Sequence, residues 1–186
     1  MKTGRLIART IIGGLFFGHG TQKLFGWFGG PGPEGTERMM QNLELHPPKR
    51  QALLASWAET AGGAMLVLGA FTPLAASMLT GSMVTAIRKV HLHQGLWNQN
   101  SGYEYNLALI AALAALIDGG PGSPSVDSAL GIHCTGPRWT LASLAAGVAG
   151  STLAIEMGQR AAGDSQQQRA SDSVEVAAPE AAVPAS

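Results

Sequence analysis

The chain has 186 residues, enough for one domain of ordinary size, and only 13% of them are charged, about half the usual share in soluble domains. Lys and Arg balance Asp and Glu at 12 each, so the net charge of zero gives no reason to expect nucleic acid or a broad acidic partner. The single cysteine, Cys134, excludes an intrachain disulfide framework and a multi-cysteine metal site.

Mean hydropathy is only +0.14, but the average hides segregation. Residues 29–50, 118–138 and 159–186 are polar, and the segments between them are strongly apolar. Lys2, Arg5 and Arg9 precede the first apolar stretch, yet no small-residue pattern closes it, so a cleavable signal is not expected. A bilayer core needs roughly 20 mostly apolar helical residues, and five stretches approach that. They run from about Leu6 to Phe28, Ala52 to Phe71, Leu74 to about Val90, Tyr103 to Ile117, and Trp139 to Gly158. Thr72-Pro73 separates the second from the third. The fourth is short for a full crossing, which places its upper end in the interface. Residues 159–186, rich in Ala, Ser, Gln and Pro with no periodic apolar face, read as a disordered tail.

These runs are long, Ala/Leu-rich and free of a period-two pattern, so they predict helices. Lipid imposes the same choice, because every backbone polar group must be satisfied within a span. Gly14 with Gly18, Ala108 with Ala112 and Ala111 with Ala115 recur at four-residue spacing, as at close helix contacts in membranes. Trp27, Trp57, Trp97 and Trp139 fall at or near the ends of the spans, where interfacial aromatics collect. A soluble bundle would need charged outer faces, and YNLALIAALAALI (105–117) has none. The expected fold is therefore all-α, a polytopic membrane helix bundle in contact with lipid.

If successive spans alternate, His19 and Glu59 share a depth. Each lies roughly 10 Å below the upper surface at the helical rise of about 1.5 Å per residue. Lys23, Arg88, Lys89, His91, His93 and Glu104 lie toward the same end. Lys23 shares a face with His19 at i and i+4 and suits an interfacial anchor. Arg9, one turn from the lower end, is expected to snorkel to water. A carboxylate within a span is costly and faces the protein interior or a wet cavity. Glu59 is therefore either a buried structural carboxylate or a proton-handling, ligand-binding group, and the sequence leaves both open. His91-x-His93 on a helix diverges, and spacing fixes no third ligand, so no metal site is assigned. Glu104 is placed to cap the fourth helix. GGLFFGHG lacks a preceding strand and is not a nucleotide motif, and Cys134 has no resolving partner.

Three motifs stand together: R-x-x-x-G-x-x-F-x-x-H-G-x-x-K-L-F-G-W-F-G-G from Arg9 to Gly30, E-x-x-G-G-x-x-L-x-L-G-x-x-T-P from Glu59 to Pro73, and H-x-x-x-G followed by G-Y-E-Y from His91 to Tyr105. Through them the chain resembles the DoxX family of small bacterial and archaeal integral membrane proteins, over roughly residues 5–130. The resemblance implies a four-helix membrane bundle over residues 1–130, to which 131–158 add a fifth transmembrane helix and 159–186 a polar tail. It also implies that His19, Lys23, Glu59, His91 and Glu104 belong together. Relatives are associated with sulfur oxidation at the quinone level and with assemblies containing superoxide dismutase and a sulfurtransferase.

The leading expectation is a multi-pass cell-membrane subunit of a redox or thiol/oxidative-stress system. Its polar end would bind a quinone or dock a soluble oxidoreductase or sulfurtransferase. There Glu59 and His19 are the candidate catalytic groups, and Lys23, His91 and Glu104 the candidate ligand-binding ones. A non-enzymatic membrane scaffold is the alternative, and a small-solute transporter is weaker, because broken helices and internal repeats are not evident. Arg38, Lys49, Arg50, Arg88 and Lys89 above, against Lys2, Arg5 and Arg138 below, lean toward a cytoplasmic upper face, although the basic N-terminus argues the other way.

Overall fold

Glycine and proline set most of the helix boundaries. In a computed structural model, which describes residues 2–177, the chain is helical with no strand among the described residues. Helix α1 (Lys2–Phe25) is followed by a single 3-10 turn, and α2 (Gly32–Asn42) occupies the first polar block. Helix α3 (Pro48–Leu68) starts on a proline, whose fixed φ suits a first helical position. It ends at Gly69, which at φ 61 adopts the left-handed conformation that stops helices. The N–H groups of Gly69 and Ala70 then satisfy the carbonyls of Leu66 and Met65. Helix α4 (Thr72–Ala86) runs into a π-helical turn, Ile87–His91. Helices α5 (Glu104–Gly119), α6 (Val126–Ala129) and α7 (Pro137–Ala177) complete the chain.

Helix α3 packs chiefly on α1, and α4 lies between α3, α5 and α7. The core gathers Phe16 of α1, Leu66 of α3, Ala75, Ala76 and Leu79 of α4, and Leu113, Leu116 and Ile117 of α5. A second cluster, Met40, Leu45, Ala52 and Ile155, ties α2, α3 and α7 together at the other end.

Small residues do set the helix approaches, but not at the expected positions. A Cβ on Gly14 or Gly18 would meet nothing within 4 Å, and Ala108, Ala111 and Ala115 are exposed. The close crossing of α1 and α3 instead uses Gly13 and Gly20 against Gly63 and Thr60. On α7 the buried stripe Ser143, Gly147 and Ser151 faces α4, and Thr85 meets Ser151 at 2.8 Å. Spacing alone cannot choose between adjacent stripes of an Ala/Gly-rich helix; the partner chooses. A Cβ on Gly63 would lie 2.6 Å from the Gly13 carbonyl oxygen. Gly63→Ala is therefore expected to destabilise the protein by roughly 1–3 kcal/mol through overpacking. Gly14→Ala should be neutral or stabilising by up to about 1 kcal/mol, because alanine is the better helix former. Thermal unfolding in detergent, followed by helical circular dichroism, ranks the two; equal effects would refute this packing.

Two further differences concern the spans and the tail. Among the described residues only α7, over Pro137–Ser165, is long and apolar enough to cross a membrane by length and composition alone. Helices α4 and α5 have 15 and 16 residues, and α1 and α3 carry Arg9, His19, Lys23 and Glu59 in their interiors. Where a structureless tail was expected from residue 159, α7 continues to Ala177; residues 178–186 of that tail lie outside the described residues. Once the apolar segment has nucleated the helix, each added Ala, Gln, Arg or Glu propagates it at little cost.

Candidate functional site

The α1–α3 crossing brings the polar groups of both helices to one depth. Gly13 and Gly20 face α3, so Phe16, His19 and Lys23 flank the contact. Glu59 follows one turn after Ser56 on the buried side of α3. Lys23 Nζ donates to both Glu59 oxygens at 2.6 Å. The Glu59 side chain is 7% exposed and that of Lys23 is 20% exposed. Lys23 is thus the partner of the buried carboxylate, besides lying near the end of α1.

The pair forms part of the wall of a cavity of about 200 Å³, which His19 and His91 also line. Its remaining walls are Leu15 and Phe16 of α1, Met83 and Ala86 of α4, and Tyr105, Asn106 and Leu109 of α5. Four helices, α1, α3, α4 and α5, and the π-helical turn therefore converge on the cavity. His19 is exposed at its rim, and His91 is half-buried. Asn106, which the sequence reading missed, is buried and directs its amide toward Met83 Sδ at 3.4 Å. An asparagine beside the GYEY motif in a short apolar helix was the available signal, since a polar side chain buried among apolar ones needs a partner.

Glu104 stands apart from the other four. It is exposed, does not line the cavity, and accepts a hydrogen bond from the Asn98 N–H at 3.0 Å. Its carboxylate turns back to the loop before α5 because the unsatisfied N–H groups there attract it.

Arg9 differs from expectation. Rather than snorkelling, it is 3% exposed and donates to the carbonyls of Pro121 (3.1 Å) and Pro124. Arg5 donates to Gly119 and Gly120 in the same loop. A guanidinium offers five donors in a rigid fork, and a Gly/Pro-rich loop has carbonyls that no helix satisfies. Asp127, also missed, is 2% exposed and accepts from Phe71 N–H, Thr72 N–H and the Thr72 hydroxyl at 2.7, 3.0 and 2.7 Å. It caps α4 from a distant part of the chain. The lower end is therefore a structural latch, and the cavity with its ion pair lies on the upper side.

No curated protein and no solved structure matches the chain. The family model DoxX matches residues 4–92, a shorter segment than the resemblance suggested. That segment carries Arg9, His19, Lys23, Glu59 and His91, and leaves α5 and α7 outside. The family is membrane-associated, in keeping with the apolar span of α7. The match, through the segment that builds most of the cavity, supports membership of the DoxX family.

Proposed function

We propose that the protein is a multi-pass subunit of a cell-membrane redox or thiol-stress system whose cavity receives a quinone-type headgroup. In this reading α1, α3, α4, α5 and α7 all cross the bilayer. The observation that carries it is the composition of the cavity. His19, Lys23, Glu59 and His91 meet there beside Asn106, and the other walls are mainly apolar side chains. A few placed polar groups in an apolar pocket suit an amphiphile with an oxygen-bearing head. Leu15 is exposed next to the cavity, so the opening faces the side of the bundle, where a lipid-dissolved ligand would arrive.

Support for the multi-pass arrangement comes from Ile7, Ile11, Leu54, Leu107, Leu141 and Leu153, exposed on four helices. Water would penalise so much apolar surface, and lipid does not. When bound, a quinone supplies two-electron, two-proton chemistry within the bilayer. His19 at the rim and His91 would hydrogen-bond the head, and Lys23 would hold negative charge near it. Lys23 donates to both Glu59 oxygens, so the carboxylate holds the ammonium at the cavity wall. A chain with one cysteine has no internal dithiol to donate electrons. A soluble oxidoreductase or sulfurtransferase would dock at the upper face, where α2 lies and from which α7 continues past Gly158 beside His46.

The test uses the purified protein in lipid nanodiscs with decylubiquinone and decylubiquinol, read by quenching of tryptophan fluorescence. Saturable binding is expected. His19→Ala should weaken it roughly three- to tenfold, the worth of one hydrogen bond, and Ala86→Trp, which fills the cavity, should abolish it. Binding that ignores Ala86→Trp, or no saturable binding of either compound, would refute the reading. Purification from native membranes in mild detergent should retain a stoichiometric soluble oxidoreductase or sulfurtransferase through a salt wash.

A further inference from the structure

His91 is held from behind. Its Nδ1 lies 2.7 Å from the Ser101 carbonyl oxygen. A carbonyl can only accept, so Nδ1 carries the hydrogen, and in the neutral ring Nε2 keeps a free lone pair. The carbonyl is aimed by a tightly bonded loop. Ser101 sits at φ 62, in the left-handed region. Gly102 N–H donates to Trp97 at 3.1 Å, Tyr103 N–H to Gly95 at 3.2 Å, and Glu104 N–H to Leu96 at 2.8 Å. Gly102 packs so closely on the Gly95 and Leu96 backbone that a Cβ would collide with both. The Glu104 carboxylate closes the loop by accepting from Asn98 N–H. From the other side, Arg88 donates to Thr152 at 2.9 Å and ties the π-helical turn that bears His91 to α7.

Three other polar groups of the cavity already have partners. Lys23 occupies both Glu59 oxygens, and the Asn106 amide is directed at Met83. His19 and Tyr105 lie exposed across the opening, and Arg88, Lys89 and His93 flank His91 on its own segment. His91 is the cavity imidazole whose tautomer a contact fixes, and that contact leaves its Nε2 as an acceptor.

We infer that the cavity takes its ligand in the hydroxyl form, a tailed hydroquinone or phenol whose O–H donates to His91 Nε2, with Ser101 and Glu104 as positioning residues that fix the His91 tautomer. The inference rests on the amphiphile reading of the cavity and adds the ligand's oxidation state. It assigns Glu104 a role through the loop rather than at the ligand. An oxidised quinone offers carbonyl acceptors, which cannot pair with a bare Nε2, and so should bind more weakly.

The deciding experiment is nitrogen NMR of the protein in nanodiscs, labelled with 15N-histidine. The His91 signals are identified among the five histidines by their loss in His91→Gln. At a pH where the ring is neutral, the wild-type protein should show the Nδ1–H tautomer. Decylubiquinol should shift the Nε2 signal and bind roughly three- to tenfold tighter than decylubiquinone, the worth of one neutral hydrogen bond. Glu104→Ala, which removes the acceptor for the Asn98 N–H, should yield a mixture of tautomers while leaving the helical circular dichroism unchanged. The tautomer is read from the wild-type protein, and the His91→Gln variant serves only to assign its signals. An Nε2–H tautomer, or tighter binding of the oxidised compound, overturns this inference alone. The Nδ1–H tautomer with neither compound bound overturns the ligand assignment together with the quinone reading.

Discussion

Lys23→Met is expected to destabilise the protein by about 3 kcal/mol, the lower end of what breaking a buried ion pair costs. The lower end applies because one-fifth of the Lys23 side chain is exposed and water can partly replace it. The loss strands the Glu59 carboxylate, only 7% exposed, beside Phe16 and Leu109. Glu59→Gln should cost less, about 1–2 kcal/mol, because a lysine ammonium on a flexible stem can turn toward water. The double variant should recover most of the loss and fall within about 1 kcal/mol of wild type, since replacing both members of a buried pair is often nearly neutral. A double-mutant cycle from unfolding in detergent micelles measures the coupling directly. Additive losses would show that the two groups do not stabilise one another.

Asp127→Ala should be at least as damaging, by roughly 3–5 kcal/mol, because one buried carboxylate satisfies three donors. Two of those donors are backbone N–H groups at the start of α4, where the preceding helix end provides no acceptor. Phe71 is held at φ 45, a conformation that a bulky residue keeps only when its surroundings impose it. Asp127→Asn retains one acceptor oxygen and should lose about half as much. Hydrogen exchange of the first turn of α4 is the sharper readout: protection at Thr72 should fall in Asp127→Ala before global unfolding. Unchanged protection there would mean that another group caps the helix.

Much of the architecture was legible because its causes are local. Apolar run length, the Thr72-Pro73 break and the polar blocks place the helices, since proline geometry and helix propensity act within a few residues. Counting the helical rise from the span ends put His19 and Glu59 at one depth, and both line one cavity. The helix across Gly32–Asn42 was less visible, because a short polar amphipathic segment resembles a loop in composition. The extension of α7 to Ala177 was missed because a polar tract without a buried face gives no periodic signal.

What the sequence determined by itself was the class of element and the height of each polar residue, both set by short-range chemistry. The rotation of each helix was decided only in three dimensions. Helices α3 and α4 are apolar nearly all round, so no hydrophobic face declares which side turns inward. The neighbour decided it, and with it that Gly13 rather than Gly14 meets α3. The same packing turned Lys23 onto Glu59 and Arg9 onto loop carbonyls, and it set Asp127 on the N–H groups of α4 and Glu104 on its own loop. Each of these contacts joins segments or atoms whose pairing depends on angle as well as distance along the chain, and that information exists only once the helices have packed.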